Sequence, residues 1–430
     1  MGRKLNVSVY TIAIICLLSY FELGALRSII FRNQLILSIS LLCGVYIFFS
    51  RSRTCRLTKY EFGCFLTIFF FVLLRNQYLA IGEFDINIVY YFLLILLIVC
   101  MRHSENWVKS FVEFMYWISL LHAVATLIFA VSPSLFDWYT SHFLAHDYYV
   151  EAMARYQKGT ISGLCVNYGA NAGILAMGTG IAIVKFMWPS ESANGKRPWI
   201  PVLIRLAGLL FTGKRSPVLL MVVAIAVIYI FIEKGKTNSK VFKITLIGIV
   251  AVSAVYVGAM FIPQLQVLVG RLMDSDDWST LGGRTELYEI AMNMWEQNPI
   301  FGQGWNAYKL VSANSIGKVY ASQYARMQTH NVYLQLLSEV GIIGMLAFVM
   351  IFSYPLLKTF SKTRAYGLNE FLNYIEKKYL LSVIYMLLFF MLYGMTGNPL
   401  YDAYMYFLAF ICCGALQSYL VAFRNRSMQE

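Results

Sequence analysis

The sequence predicts an all-α integral membrane protein, and its composition and hydropathy pattern carry that prediction. The 430 residues are 59% hydrophobic and only 13% charged, whereas ordinary soluble domains are about 45–50% apolar and about 25% charged. Apolar runs of roughly 18 to 25 residues recur along the chain, and a helix of that length crosses a hydrocarbon core of about 30 Å. Because lipid offers the backbone no hydrogen-bond partners, each run is expected to be a helix.

About twelve spans are expected, in a single polytopic membrane domain that covers residues 1–430. The first apolar run has the length of a signal peptide, but it lacks a convincing small-residue cleavage site and many further spans follow it. The approximate bounds of the predicted spans are 6–26, 34–50, 62–80, 86–101, 110–131, 161–187, 200–212, 217–232, 241–262, 332–357, 379–397 and 402–423.

The 35 Lys and Arg residues give a formal net charge of +13. With both termini on the cytoplasmic side, most of them fall in inner loops, tails and the adjoining span ends, as the positive-inside rule requires. A nucleic-acid surface would need these charges on one face, so no nucleic-acid partner is expected. This topology places the interval 263–330, between spans nine and ten, outside the membrane as a large extracytoplasmic loop with short amphipathic helices.

The first four spans carry few polar groups and are interpreted as scaffold. His122, inside the fifth span, is interpreted as a helix-interface histidine, with a proton relay as the alternative. Most of the eight cysteines lie in or beside apolar runs, and none shows CxxC or Cys/His ligand spacing. Disulfides, a metal site and a cofactor are therefore not expected.

The sixth span is rich in Gly and Ala, and small residues let helices approach closely in lipid. Arg155 and Lys158 precede it, and they either bind an anion or are solvated loop cations.

Spans seven and eight are expected to form a tight pair around the turn TGKRSP, with Lys214 and Arg215 at the outer side. Cations cost about 2.5–3.5 kcal/mol each at mid-bilayer, and the positive-inside rule disfavours them on this side. An anionic ligand would explain both, and snorkelling to the interface is the alternative. Arg205, in span seven, is expected to snorkel inward as a structural residue.

In the outer loop, residues 285–297 have apolar side chains at helical spacing and predict a helix that lies on the membrane or caps the bundle. Arg284 lies at its N-terminal end, where a helix favours a bound anion; an exposed loop arginine is the alternative. The run Asp274-Ser275-Asp276-Asp277 resembles the DxD metal site of sugar transferases, but such acidic runs are also common in turns.

His330 and Asn331 open the tenth span at the outer rim, where a histidine is either an interfacial residue or part of a site. Glu339 lies within that span, and an intramembrane carboxylate is either functional or a buried hydrogen-bond partner. Asn398 and Asp402, in the turn before the last span, are expected to line the same outer cavity.

The ordered motifs GKRS, GRTELYEIAMNMWEQNPIFGQGW and THNVYLQLLSEVGIIG resemble the O-antigen ligase/polymerase superfamily, which comprises lipopolysaccharide ligases and Wzy-type polysaccharide polymerases. The likeness covers residues 203–344 together with the span count and loop placement. It implies a GT-C-like, metal-independent glycosyltransferase that uses a glycan on undecaprenyl pyrophosphate. Arg215 and Arg284 match the functional arginines of the family, and His330 matches its histidine.

Under this resemblance, the two arginines neutralise charge on the pyrophosphate leaving group. His330 accepts the proton of the acceptor hydroxyl, and Asn331 or Glu339 orients it. Lys214 and Arg271 are further candidates for binding phosphate.

A polymerase is favoured over a ligase because the GKR turn and NPIFGQGW look closer to Wzy-type O-antigen or capsule polymerases; a ligase would use lipid A–core as acceptor. A transporter or flippase usually shows two related halves, and no repeat is evident. The expected partners are undecaprenyl-pyrophosphate-linked oligosaccharide and membrane lipid, with a chain-length regulator protein as a further candidate. The expected location is the bacterial plasma (inner) membrane, with the site facing the periplasm or exterior.

Overall fold

The described part of the chain is helical throughout and contains no β-strand, which confirms the all-α prediction. Two predicted spans (6–26 and 34–50), Arg271 and the acidic run at 274–277 lie outside the described residues. The computed structural model describes residues 57–74, 86–102, 105–165, 167–189, 199–232, 237–261, 266, 269–270, 284–316, 328–366 and 374–426.

Fourteen α-helices occur within these residues, and a π-helical turn at Phe69–Leu74 directly follows the first. In chain order they are α1 (Lys59–Ile68), α2 (Ile86–Met101), α3 (Asn106–Val131), α4 (Pro133–Phe143), α5 (His146–Gln157), α6 (Tyr168–Met187), α7 (Trp199–Phe211), α8 (Arg215–Ile232), α9 (Thr237–Ala259), α10 (Thr285–Gln297), α11 (Ala307–Ile316), α12 (Val332–Tyr366), α13 (Tyr374–Tyr393) and α14 (Ala403–Arg426).

Five of the described helices are long and apolar enough to cross a membrane: α3, α6, α8, α12 and α14. Shorter apolar helices at Tyr90–Val99 and Trp199–Phe211 accompany them. Most of the apolar stretch is buried in α6 and α14, whereas only a minority of it is buried in α8. Helices α6 and α14 are therefore central, and α8 lies at the periphery, where its apolar surface suits lipid.

Small residues on α6 allow neighbouring helices to come close, as the sequence predicted. Helix α6 packs against α3, α7 and α13. A Cβ atom on Gly180 would lie 1.9 Å from Cζ of Tyr385 in α13, and the Tyr385 hydroxyl donates to the carbonyl of Ala176 at 2.7 Å. A larger residue at position 180 would therefore force the two helices apart.

Polar contacts show that α3 and α6 run antiparallel. At one end, Lys185 Nζ lies 2.7 Å from Glu113 Oε2. At the other, Asn171 Nδ2 donates to Thr126 Oγ1 at 2.9 Å. We call the first the Lys185 end; the second is the Lys214 end, because Lys214 lies beside the start of α6.

Three details differ from the sequence predictions. Helix α6 begins at Tyr168 rather than at 161, because Asn167 caps it and accepts from the Ala170 N–H at 2.7 Å. Helices α7 and α8 are joined by a short turn but do not form a tight pair: α7 packs mainly on α3 and α6, and α8 packs mainly on α13.

Arg205 is the third difference, because its side chain is fully buried rather than snorkelling. It donates to Ser119 Oγ at 3.0 Å, to the Pro201 carbonyl at 2.9 Å and to the Tyr116 carbonyl. Its guanidinium carbon also lies 4.0 Å from the centroid of the Tyr116 ring. Within the bundle these contacts compensate for the lost hydration of the charge, and Arg205 joins α7 to α3.

Candidate functional site

The Lys214 end of the bundle gathers basic side chains around one aromatic ring. Lys214 Nζ lies 4.7 Å from the centroid of the Tyr168 ring, and Arg155 Cζ lies 5.2 Å from it. The turn at Gly213, with φ 68°, brings Lys214 from the end of α7 to this position. A tyrosine face attracts a cation because of its ring quadrupole, so Tyr168 holds two cations close to each other.

The electrostatics of Lys214 reveal which other charges face it. Burial is the largest cause that lowers the pKa of Lys214, and the positive charges of Arg284 and Arg155 lower it further. Tyr168 and Asp402 raise this pKa. Among the described residues, neither Lys214 nor Arg284 forms an ion pair with a carboxylate within 4.0 Å. The cluster therefore presents positive potential that an anion could neutralise.

Arg284 enters this cluster from the segment before α10. Its Nη1 donates to the carbonyl oxygen of Thr396 at 3.1 Å. Helix α10 has the bounds that the sequence predicted, and Leu287 and Met294 are buried on its packed face. The helix caps the bundle by packing against α12, and that contact fixes the position of Arg284.

His330 adopts a left-handed backbone conformation, with φ 57°. Few residues other than glycine do so, and such strain persists only where the surrounding structure holds it. Here Val332 N–H donates to the carbonyl of Gly394 at 2.7 Å, which ties the start of α12 to the end of α13. Asn398 Nδ2 lies 3.4 Å from His330 Nδ1. The turn that bonds Arg284 thus also holds the histidine.

The charge state of His330 follows from its surroundings. Burial, and then the positive charges of Arg284 and Lys214, lower the pKa of His330 from 6.5 to about 4. The imidazole is therefore neutral at pH 7, and a neutral imidazole has a lone pair that can accept a proton.

Asn331 caps α12 in the structure. Its Oδ1 accepts from the N–H groups of Tyr333 at 3.0 Å and Leu334 at 3.3 Å. The Thr329 hydroxyl donates to the Asn331 carbonyl at 2.6 Å. Asn331 therefore shapes the turn around His330, and the amide that contacts the imidazole is that of Asn398 rather than that of Asn331.

Glu339 is fully buried and lies about two turns after the start of α12. Its carboxylate accepts from Gln335 Nε2 at 3.1 Å and from the Tyr401 hydroxyl at 2.7 Å. Gln335 Oε1 in turn lies 3.4 Å from the N–H of Thr329. Glu339 thus supports the residue that precedes His330 through Gln335, and it also holds Tyr401.

The Gly302-Gln303-Gly304 turn packs against a break in α12 and stabilises it. Gly341 interrupts that helix with φ 67° and ψ −174°. The break frees backbone groups that the turn and the nearby Pro299 satisfy: Gly304 N–H donates to Glu339 O at 2.7 Å, and Ile342 N–H donates to Pro299 O at 2.9 Å. Buried backbone groups need such partners, so the motif has a structural role here.

The remaining predicted site residues are placed as follows. Arg215 is half-buried as the first residue of α8, directly after Lys214, and Arg271 lies outside the described residues. Sequence reasoning missed Tyr168 and Thr396. Tyr168 carried one signal, because it opens the small-residue span, whereas nothing local distinguishes Thr396.

One comparison with known proteins covers a segment of the chain that includes part of this site. Residues 200–349 match the family model described as O-antigen ligase. The match supports the resemblance to the O-antigen ligase/polymerase superfamily. The matched segment contains Lys214, Arg284 and His330, while Tyr168 and Asn398 lie outside it. No curated protein matches the chain.

Proposed function

We propose that the protein is a polysaccharide polymerase of the GT-C-like type, a metal-independent glycosyltransferase. It transfers an undecaprenyl-pyrophosphate-linked glycan to the non-reducing-end sugar hydroxyl of a lipid-linked repeat unit, in O-antigen or capsule biosynthesis. The reaction takes place at the outer face of the bacterial plasma membrane. The observation that carries the proposal is the juxtaposition of Lys214, Arg284 and a neutral His330 at one end of a helical bundle.

The cations suit a lipid pyrophosphate. Lys214 and Arg284 have no carboxylate partner within 4.0 Å in the described chain, and their positions are held by the Tyr168 ring and the Thr396 carbonyl. Such preorganised charges stabilise a leaving group as its negative charge develops. Hydrogen bonds to charged groups contribute about 1.5–3 kcal/mol each. Arg215, next to Lys214 in the chain, is proposed as a further contact, and Arg271 as a second-tier one.

The bond changes balance with His330 as general base. The acceptor hydroxyl oxygen forms a bond to the anomeric carbon of the donor glycan, and the bond from that carbon to the pyrophosphate oxygen breaks. The hydroxyl proton passes to His330, and undecaprenyl pyrophosphate leaves. Bound pyrophosphate would also counter the charges of Arg284 and Lys214, which raises the pKa of His330 and strengthens the base when the donor is present.

Orientation and location follow from the charge pattern. Under the positive-inside rule the Lys214 end faces the periplasm or exterior, with both termini in the cytoplasm. A pyrophosphate head at that surface reaches the site while its lipid tail stays in the bilayer. A chain-length regulator protein is a further proposed partner, and Asn331 and Glu339 are proposed as supports of the His330 turn.

The glycan profile of a deletion strain tests the proposal. The expected result is a single repeat unit on the final acceptor, with long chains restored by the wild-type gene but not by His330→Ala or Arg284→Ala variants that reach the membrane in equal amount. Lipid-linked single repeats should still reach the outer leaflet. Loss of that outer-leaflet pool would instead indicate a flippase and refute a polymerase.

A ligase is the second candidate, because the matching family model is described as O-antigen ligase. It would use the same donor and the same base, with lipid A–core as the acceptor. The deletion strain distinguishes the two functions. A lost ligase leaves long polymer on the lipid carrier and none on lipid A–core.

A further inference from the structure

The side chain of Asn398 contacts His330 at one end and has no hydrogen-bond partner among the described residues at the other. Asn398 is 6% exposed, and its Nδ2 lies 3.4 Å from His330 Nδ1. Its Oδ1 is buried without a hydrogen-bond partner in the described part of the chain. Rotating the amide by 180° exchanges these ends without moving any other residue. In either orientation, one end of the amide meets the imidazole and the opposite end is buried without a hydrogen-bond partner among the described residues.

The backbone around Asn398 keeps this amide in place. Its carbonyl oxygen accepts from the N–H groups of Tyr401 at 2.9 Å and Asp402 at 3.2 Å. Two residues earlier, the carbonyl of Thr396 accepts from Arg284. The turn is therefore hydrogen-bonded to Arg284 and also contacts His330. A partner held this rigidly can select one state of the imidazole.

The bond at one imidazole nitrogen decides the protonation of the other. A neutral imidazole carries a single proton, and the nitrogen without it is the proton acceptor. If Nδ1 donates to an amide oxygen, Nε2 has the free lone pair. If Nδ1 instead accepts from an amide N–H, then Nε2 carries the proton and cannot act as a base. General base catalysis from Nε2 thus requires the amide oxygen of Asn398 to face Nδ1.

We propose that Asn398 is a positioning residue for His330: its amide oxygen accepts the Nδ1 proton, which leaves Nε2 free to deprotonate the acceptor hydroxyl. The inference rests on the proposed function for its catalytic consequence. The tautomer that it assigns is a property of the resting protein and does not depend on that function.

Solid-state NMR of the full chain in lipid, with ¹⁵N-labelled histidine at pH 7, measures the tautomer directly. The chain has five histidines, and the spectrum of His330→Asn identifies the signal of His330 by subtraction. We expect the Nδ1-protonated form in the wild type, its retention in Asn398→Asp, which keeps the acceptor oxygen, and its loss in Asn398→Ala. An Nε2-protonated wild type, or an unchanged spectrum in Asn398→Ala, would overturn the proposal.

Gln417 offers a matched control. Its amide is also buried with one unpartnered end, but it lies in α14, about 21 Å along the axis from the start of the helix. Gln417→Ala should leave the His330 signal unchanged. An equal change in both variants would mean that loss of packing, and not the loss of an amide at Nδ1, alters the imidazole, and the proposal would then fail.

Kinetics on the purified chain, with lipid-linked repeat units isolated from the source strain, test the catalytic consequence. Asn398→Ala should lower kcat by about 10–100-fold with the KM for the donor unchanged, because the base is misprotonated while the cations remain. Asn398→Asp should recover kcat. Its pH profile should move to higher pH, because the added carboxylate raises the pKa of His330, an imidazole that faces Arg284 and Lys214. A wild-type kcat in Asn398→Ala would contradict the assigned role. A wild type that does not elongate chains would refute the proposed function while leaving the NMR result intact.

Discussion

Arg284 Nη1 donates to the carbonyl oxygen of Thr396 at 3.1 Å, although the two residues are 112 positions apart in the chain. Two residues after Thr396, the amide of Asn398 meets His330. One short turn between α13 and α14 therefore joins the arginine that we assign to the leaving group and the histidine that we assign to the proton. Within the described chain, Arg284 and His330 form no direct hydrogen bond with each other, so this turn sets their relative position.

Replacing His330 by Asn should separate chemistry from folding. Asparagine tolerates the left-handed φ of 57° better than most residues, but it cannot act as a base. We expect chain elongation to fall by about 10²–10⁴-fold, with the thermal unfolding midpoint of the purified protein unchanged. Elongation at the wild-type rate would exclude His330 as the base.

The pH dependence of kcat/KM should reflect the surroundings of His330. Burial and the charges of Arg284 and Lys214 lower the pKa of His330 to about 4, so the basic form persists as the pH falls from 7 to about 5. The acid limb should lie near pH 4 rather than 6.5. Lys214→Gln removes one positive charge and should move the limb to higher pH. A limb at 6.5 in both proteins would contradict this environment.

Tyr168 should act on donor binding through Lys214. A cation–π contact contributes about 0.5–2 kcal/mol, and the Lys214 ammonium lies 4.7 Å from the ring centroid. Tyr168→Leu removes the aromatic face and should raise the KM for the donor by about 2–30-fold. Tyr168→Phe keeps the face and serves as the control. Equal KM values in the two variants would show that the ring does not hold Lys214.

Gly302 should be essential for stability rather than for chemistry. A Cβ atom there would lie 2.4 Å from the backbone of Glu339 and Val340, and its φ is 68°. Gly302→Ala should lower the free energy of unfolding by about 1–3 kcal/mol, measured by thermal unfolding in detergent. In Gly63→Ala, where no atom lies within 4 Å of the added Cβ, the change should be neutral or stabilising by up to about 1 kcal/mol. A similar loss of unfolding free energy in both variants would contradict the role of Gly302 in stabilising the break in α12.

Local patterns in the sequence were sufficient for the helical class and for much of the helix order. The bounds of α10 follow from the spacing of Leu287, Ile290 and Met294 and from the residues that stop the helix. The sequence predicts a span from 161, because the chain is apolar from that position. The structure differs: Asn167 is the N-cap, and α6 begins at Tyr168. Hydropathy measures how well a segment suits lipid, and it does not distinguish a buried loop from a helix.

The sequence by itself determined that the chain is an all-helical membrane protein, and its ordered motifs drew attention to Arg215, Arg284 and His330, with Lys214 as a further candidate. These are properties of short segments, because periodicity, capping and motif order are read within a few turns of chain. Only the tertiary structure decided that the Tyr168 ring lies close to both Arg155 and Lys214, that Arg205 is buried, and that Asn398 contacts His330. Such contacts depend on which helices pack as neighbours, and that choice is made by the summed packing of the whole bundle rather than by any one segment.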